Sequence, residues 1–285
     1  AQVGMTDFEY RPVRFIRSYR PDAEIDESGI LEAARLINLS RKPMALIGQG
    51  VILGGAEKEL REFLEKSGIP AAATLLGLSA LPSDHPQYVG MLGMHGNYAP
   101  NIKNRDCDLL IAVGMRFDDR VTGDPSKFGI NAKITHMEID PAEINKIVYA
   151  DVAVTGDVKR TLPMLTEKIA PCDRKAWLEE FRVCRNIERE EIIEPAVSPR
   201  GQHLRMGEVV DAVAQRFDDA ILVTDVGQQQ MFASRYFRFK RTRSIITSGG
   251  LGTMGFGLPA AIGAKIGAPD RDVCLFVGDG GLQMT

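Results

Sequence analysis

Short, continuously apolar runs alternate repeatedly with segments of helical period along this chain. Many of the runs close on glycine or aspartate: 43–47 ends at Gly48, 109–113 at Gly114, and 133–139 at Asp140. Further runs fall at 69–73 and 152–154, with helical segments from Asp26 (Ile30, Leu31, Ala34 and Ile37 on one face), over 56–66 and over 161–169. Strands this short and apolar are buried on both faces, and intervening helices are what cover them. The pattern predicts an α/β chain with doubly wound parallel sheets.

At 285 residues and 44% hydrophobic content the chain is long enough for two cores. A formal charge of -3, with Lys and Arg scattered, supplies no basic field, so nucleic acid is not an expected partner. No apolar run approaches the roughly 18 residues of a membrane span, and Ala1-Gln2-Val3-Gly4 lacks a signal-peptide pattern. The chain therefore reads as soluble and cytoplasmic, with no membrane partner. Cys107, Cys172, Cys184 and Cys274 form no CxxC pair and read as reduced packing residues. His85, His95, His136 and His203 lack the spacing of a metal pair.

Residues 1–23 read as an extended connector and 24–170 as a first, Rossmann-like domain. Residues 171–200, with the single Trp177, read as a helical linker broken by Pro195-Ala196-Val197-Ser198-Pro199-Arg200-Gly201. A second alternation fills 201–285, with helices over 206–216, 230–236 and 258–266 and strands over 220–224, 244–247 and 273–277. It stops after a strand and before any covering helix, which predicts an incomplete second fold and a chain that is a piece of something longer.

Five glycines between Gly249 and Gly257 join the strand over 244–247 to the next helix, and such a loop lets backbone amides approach a phosphate. Gly250 to Gly255 is a literal GxGxxG. A dinucleotide site also needs an acid at the end of the following strand, about 20 residues on. Asp270 and Asp272 precede that strand, whereas Asp279 follows it, clamped between Gly278 and Gly280. A lone carboxylate flanked by bare backbone suits Mg²⁺ shared with phosphate oxygens; a purely structural turn is the other reading.

Three segments together, Thr224-Asp225-Val226-Gly227-Gln228-Gln229-Gln230-Met231, Thr247–Gly255 and Gly278-Asp279-Gly280-Gly281, resemble the diphosphate-binding domain of the thiamine-diphosphate-dependent acetohydroxyacid (acetolactate) synthases. The resemblance implies that Val226, Gly227, Gln228 and Gln229 line the diphosphate and aminopyrimidine. It implies that Gly252 approaches the pyrimidine through its backbone. Gly278, Asp279, Gly280 and Gly281 would form the metal turn, with Asp279 as metal ligand. Met254 would be the catalytic wedge that bends the cofactor, where the loop-free reading is a core methionine. The family commonly has His at the position of Gln229, and its second metal ligand is an Asn beyond Thr285.

Strand-end residues of the first domain, where ligands of open α/β sheets bind, are rich in glycine, arginine and acids. Gly48-Gln49-Gly50-Val51-Ile52-Leu53-Gly54 has one residue too many for GxGxxG, which leaves ordinary strand-end turns open. Leu92-Gly93-Met94-His95-Gly96 and Gly114-Met115-Arg116-Phe117-Asp118-Asp119-Arg120-Val121-Thr122-Gly123 resemble the FAD segments of the same synthases. Carried across, Gly48, Gly50, Thr74, Leu75, Met94, His95, Gly96, Gly114, Arg116, Asp118, Arg120, Val121, Glu138, Ile139 and Asp157 would contact FAD. Taken alone, His95 reads as a loop histidine, and Asp119 with Arg120 as a surface ion pair.

The family condenses two pyruvates, or pyruvate with 2-oxobutyrate, with loss of CO₂, and uses thiamine diphosphate, Mg²⁺ and FAD. Its members imply a homo-oligomer with a regulatory small subunit and a pyrimidine-binding domain, carrying the proton-removing Glu, that is not in this sequence. The 285 residues alone are expected not to make acetolactate. The alternatives are a nucleotide- or flavin-binding module, another thiamine-diphosphate carboligase, decarboxylase or oxidase, or a unit with a structural role only.

Overall fold

The computed structural model describes residues 7, 9–12, 25–198, 201 and 203–285. Most of the connector expected over 1–23, and Pro199-Arg200 of the break before the second domain, lie outside them. Asp26 accepts the Ser28 amide at 2.9 Å and caps α1 (Glu27–Leu39), whose Ile30, Ala33, Ala34 and Ile37 are buried at helical spacing. Leu31, placed on that face from the sequence, is 55% exposed. One residue on from Ile30, it is turned about 100° away.

β1 (Pro43–Ile47), α2 (Gln49–Leu53), α3 (Glu57–Ser67), β2 (Ala71–Ala73), β3 (Tyr88–Met91) and α4 (Tyr98–Lys103) follow. The domain continues with β4 (Leu109–Val113), α5 (Asp119–Thr122), β5 (Lys133–Glu138), β6 (Val152–Thr155) and α6 (Val158–Lys168). The strands form one parallel sheet in the order β3-β2-β1-β4-β5-β6. α6 begins three residues before the expected 161 because Asp157 caps it, accepting the Lys159 amide at 2.9 Å. β3, an edge strand with Gly90 at φ 118, carries no clear alternation and was not foreseen.

Alternate residues of the central strands feed two cores. Ala45, Ile47, Ile111 and Val113 face Ala33, Phe63 and Leu162, while Met44, Leu46, Leu110 and Ala112 share the second core with Trp177 and Phe181. Those two aromatics lie on α7 (Lys175–Glu188), so the stretch read as a linker is helical but packs as a cover for the sheet. A π-helical turn, Arg189–Ile193, leads into α8 (Glu194–Val197). Pro195 does not break the helix. It follows directly on the π-helical turn in continuous right-handed helical backbone, and the break comes at Ser198.

The second domain contains α9 (Met206–Arg216), β7 (Ile221–Thr224), α10 (Gln228–Tyr236), β8 (Ile245–Thr247), α11 (Gly257–Gly267) and β9 (Val273–Phe276). Its parallel sheet has the order β8-β7-β9. A short helix, α12 (Asp279–Gln283), follows β9, where no helix was expected. The two domains share a core that reaches Leu222, Phe237 and Phe239. Ser83 donates its amide to Phe239 O at 2.7 Å, and Ser79 O and Oγ accept the amides of Arg243 and Ser244 at 3.2 and 2.9 Å. Ser79 and Arg243 both have positive φ, 63° and 56°, a conformation disfavoured for residues with a side chain and held here by those paired contacts.

Arg174 is buried where α1 and α3 end. Its Nη1 donates to Ser67 O at 2.6 Å and its Nη2 to Ile37 O at 3.0 Å and Ser40 O at 3.2 Å, placing a cation on two negative helix termini. Arg174→Ala is expected to lower stability by about 3 kcal/mol in urea denaturation, with Arg174→Lys unable to restore it because an ammonium lacks the planar fork.

His136 on β5 is fully buried, its Nε2 lies 2.8 Å from Met115 O, and its ring meets Phe117 edge-on. Burial lowers its pKa, opposed only in part by the bond to Met115. The unfolded ring, with a pKa of about 6.5, binds more protons below that pH, so this stability is complete above it and lost as pH falls toward the folded-state value. His85 and His95 are lowered by burial as well and act in the same sense. Denaturation midpoints are expected to fall between about pH 7 and pH 5, less steeply in His136→Asn; equal slopes would show that this ring contributes nothing.

Candidate functional site

In the second sheet the chain crosses from β7 to β8 on one side and then from β8 to β9 on the other, and such a switch in strand order is where a ligand crevice is expected, at the carboxyl ends of β7 and β9. Gly227 stands at the mouth of α10 with φ 145° and ψ -165°, a region open essentially to glycine alone. A Cβ there would meet Gln229 Oε1 at 2.5 Å. Gln229 was expected to reach phosphate, but its Nε2 donates to Val226 O at 3.1 Å and its amide lies against Gly278, clipping the turn after β7 to the turn after β9. Gln228 is exposed at the first position of α10.

The glycine-rich loop faces these turns. Gly250 has open space where a side chain would be, and Gly252, at φ 66°, has only Val226 Cγ1 within reach, at 3.9 Å. Met254 places its Cε 3.5 Å from the Cβ position of Gly280, and Asp279 is exposed beside it as the first residue of α12. Ten residues predicted from sequence (Val226 through Gln229, Gly252, Met254 and Gly278 through Gly281) thus assemble at one set of strand ends. Gly281 points inward, where a Cβ would stand 2.8 Å from Asp225 Oδ1, and is a packing glycine. Bare, open backbone opposite a helix N-terminus suits a diphosphate, and one exposed carboxylate between glycines suits a divalent ion completed by phosphate oxygens. Among the described residues no three His, Cys, Asp or Glu side chains are grouped to hold a metal by themselves.

Sequence reasoning gave no role to Asp225, whose buried carboxylate accepts the amides of Val226, Gly255 and Gly257. The signal available was an acid directly after the short, largely apolar run Ile221-Leu222-Val223-Thr224. It also missed Gln230, which donates to Thr247 Oγ1 at 2.7 Å, where Thr224 Oγ1 also bonds, tying α10 to the ends of β7 and β8.

In the central sheet the order reverses between β1 and β4, and Gly48, Gly50 and Gly114 meet there. Gly50 donates to Gly114 O at 2.8 Å, and a Cβ on Gly48 would stand 2.1 Å from that same oxygen, so the crossing of two backbones already requires these glycines. Arg116 pairs with Asp118 at 2.8 Å, and this, rather than Asp119 with Arg120, is the ion pair of the segment. Asp118 caps α5 through the Arg120 amide, which together with Arg116 holds its carboxyl below the usual range. Met94 donates to Arg120 O at 2.8 Å and sets its sulfur against the guanidinium, joining the loop after β3 to the one after β4. Gly96 and Val121 lie on those same two loops, Val121 packed against the second core.

Thr74 caps the turn Leu75–Gly77, Glu138 accepts the amides of Ile139 and Asp140, and Ile139 is half exposed. Asp157 lies 3.0 Å from the Cβ position of Gly54, just beyond α2. Both ring nitrogens of His95 are buried without a partner, and burial, with Arg235 nearby, lowers its pKa. A Cβ on Gly249 would touch Leu76 and Leu75 at 2.9 and 3.2 Å, so the two crevices abut. Of the cysteines, Cys107 is buried and all four are free, but Cys172 is exposed and does not pack.

Paired parallel sheets with a glycine-lined crevice at the end of the second are the architecture of the thiamine pyrophosphate enzymes, and the chain belongs to that family. Residues 30–165 match the family model described as the thiamine pyrophosphate enzyme central domain, and residues 225–285 match the C-terminal TPP binding domain. Within it, the chain is similar to acetolactate synthase large subunits: 40% identical over 94% of its length to that of Lactococcus lactis, 40% over 98% to that of Corynebacterium glutamicum, and 41% over 93% to the isozyme 2 large subunit of Escherichia coli. It spans about half the length of these curated relatives, 46%, 45% and 46%. No helix among the described residues is long and apolar enough to cross a membrane.

Gly227→Ala should leave the central domain intact while straining the turn by about 1–3 kcal/mol. Hydrogen exchange is the check: faster exchange in residues 225–232 with 43–47 and 109–113 unchanged is the expected pattern, and protection in both regions equal to wild type would refute the strain.

Proposed function

We propose that this chain provides the cofactor-holding part of a carboligase that joins two pyruvates, or pyruvate and 2-oxobutyrate, into acetohydroxy acids with loss of CO₂. The observation that carries the reading is the convergence of Val226–Gln229, Gly252–Met254 and Gly278–Gly280 on one crevice between β7 and β9, with Met254 against Gly280. Bound thiamine diphosphate supplies the electron sink for decarboxylation and carbon–carbon bond formation. The first amides of α10, with Gln228 and the free N–H of Gln229, receive the diphosphate, and Asp279 gives Mg²⁺ its one carboxylate from this chain. Gly252 would present bare backbone to the pyrimidine, and Met254 would be the apolar side chain on which the cofactor bends.

On the same reading the central crevice would hold FAD: Arg116 and Arg120 could pair with its pyrophosphate, His95, whose ring nitrogens have no partner, could hydrogen-bond it, and Thr74, Leu75, Met94, Gly96, Val121, Glu138, Ile139 and Asp157 would line it. The domains divide at 24–170, 171–200 and 201–285, and the enzyme works in the cytoplasm as a homo-oligomer with a regulatory small subunit. The Glu that promotes proton removal and the Asn that completes the metal site are not assigned to any of these residues, so the 285 residues alone are expected to give no acetolactate from pyruvate.

Calorimetric titration with thiamine diphosphate, with and without Mg²⁺, tests the site. Binding should depend on Mg²⁺, and Asp279→Asn should weaken it at least about tenfold without changing flavin absorbance of the purified protein. Binding of NAD with no response to thiamine diphosphate would instead favour a plain nucleotide-binding module.

A further inference from the structure

Asp225 follows β7 with its carboxylate fully buried and, among the described residues, no cation paired with it. Oδ1 accepts the amides of Val226 at 2.7 Å and Gly255 at 3.3 Å, and Oδ2 those of Gly255 at 3.1 Å and Gly257 at 2.8 Å. The rest of its surroundings are bare: a Cβ would stand 3.0 Å from Asp225 Cβ at Gly257 and 2.8 Å from Oδ1 at Gly281. A buried carboxylate persists only when its oxygens are filled by donors, and here both are, which leaves no free position on it for a metal ion. The amides it gathers belong to the turn after β7 and to the loop after β8, and its flank is the inner face of α12 after β9. With those amides turned inward, Gly250 and Gly252 are the part of the loop left facing open space.

We propose that Asp225 is the positioning residue of the cofactor crevice: it touches neither cofactor nor metal, and it sets the register of the glycine loop against the metal-bearing turn. The proposal rests on the thiamine reading above. An uncharged isostere, Asp225→Asn, replaces one acceptor by a donor aimed at the same amides. In the full-length protein at saturating Mg²⁺ it should weaken thiamine diphosphate binding about tenfold to a hundredfold, the range for groups that orient a metal's direct ligands, with flavin absorbance unchanged. Hydrogen exchange should rise together in residues 248–258 and 278–285 while β7 stays protected.

A second variant keeps the test independent of how well the Asn form folds. Gly281→Ala presses on the same carboxylate, so it should weaken binding in the wild-type background and add nothing in Asp225→Ala, where the atoms it meets are gone. Wild-type affinity in Asp225→Asn, additive effects of the two substitutions, or loosening of the whole β7–β9 sheet would each overturn the proposal. Absence of thiamine diphosphate binding by the unsubstituted protein would instead bring down the reading on which it rests.

Discussion

A parallel sheet buried on both faces commits its backbone to the ladder everywhere except at the strand ends. That constraint holds through the centre of the first sheet and for β7 in the second, whose flanking strands β8 and β9 are only half-buried. β1 and β4 are apolar and buried at every position, and their alternate side chains fill two separate cores, so chemistry has nowhere to sit but beyond Ile47, Val113, Thr224 and Phe276. Every residue assigned to a cofactor lies at the end of a strand or in the segment that follows it, Glu138 being the last residue of β5.

At those ends the backbone must still find partners, and acidic side chains supply them. Asp118, Asp140, Asp157 and Glu138 each accept one or two amides of the turn that begins with them, and Asp225 does the same for segments from two different loops. Glycines have two duties that the sequence does not distinguish. Gly48, Gly50, Gly114 and Gly281 are required by close approach within the protein, whereas Gly250 and Gly252 stand open. The helix that covers the central sheet also joins the domains, since Glu188 at its end accepts from Asn97, the Tyr98 amide and Arg235 of α10.

Much of the secondary structure was legible because local signals agreed. The strands over 43–47 and 109–113 and the helix over 206–216 begin and end where apolar period and flanking residues place them. β3 and α12 were not legible, one a four-residue edge strand and the other a five-residue helix, each too short to show a period. The contiguous motifs of the thiamine crevice could be read directly. Arg174, Gln230 and the pair Ser79–Arg243 could not, because each acts on partners 17 to 165 residues away in the chain.

Periodicity and local sterics, which need no tertiary partner, set most of the strands and helices, the parallel sheets, and the glycine and acid clusters that fall after strands. Tertiary structure decided what those clusters do. Only the folding of β7, β8 and β9 side by side brings Gly255, Gly257 and Gly281 around one carboxylate, and that closeness, not the composition of any loop, turns Asp225 inward and leaves Asp279 facing out.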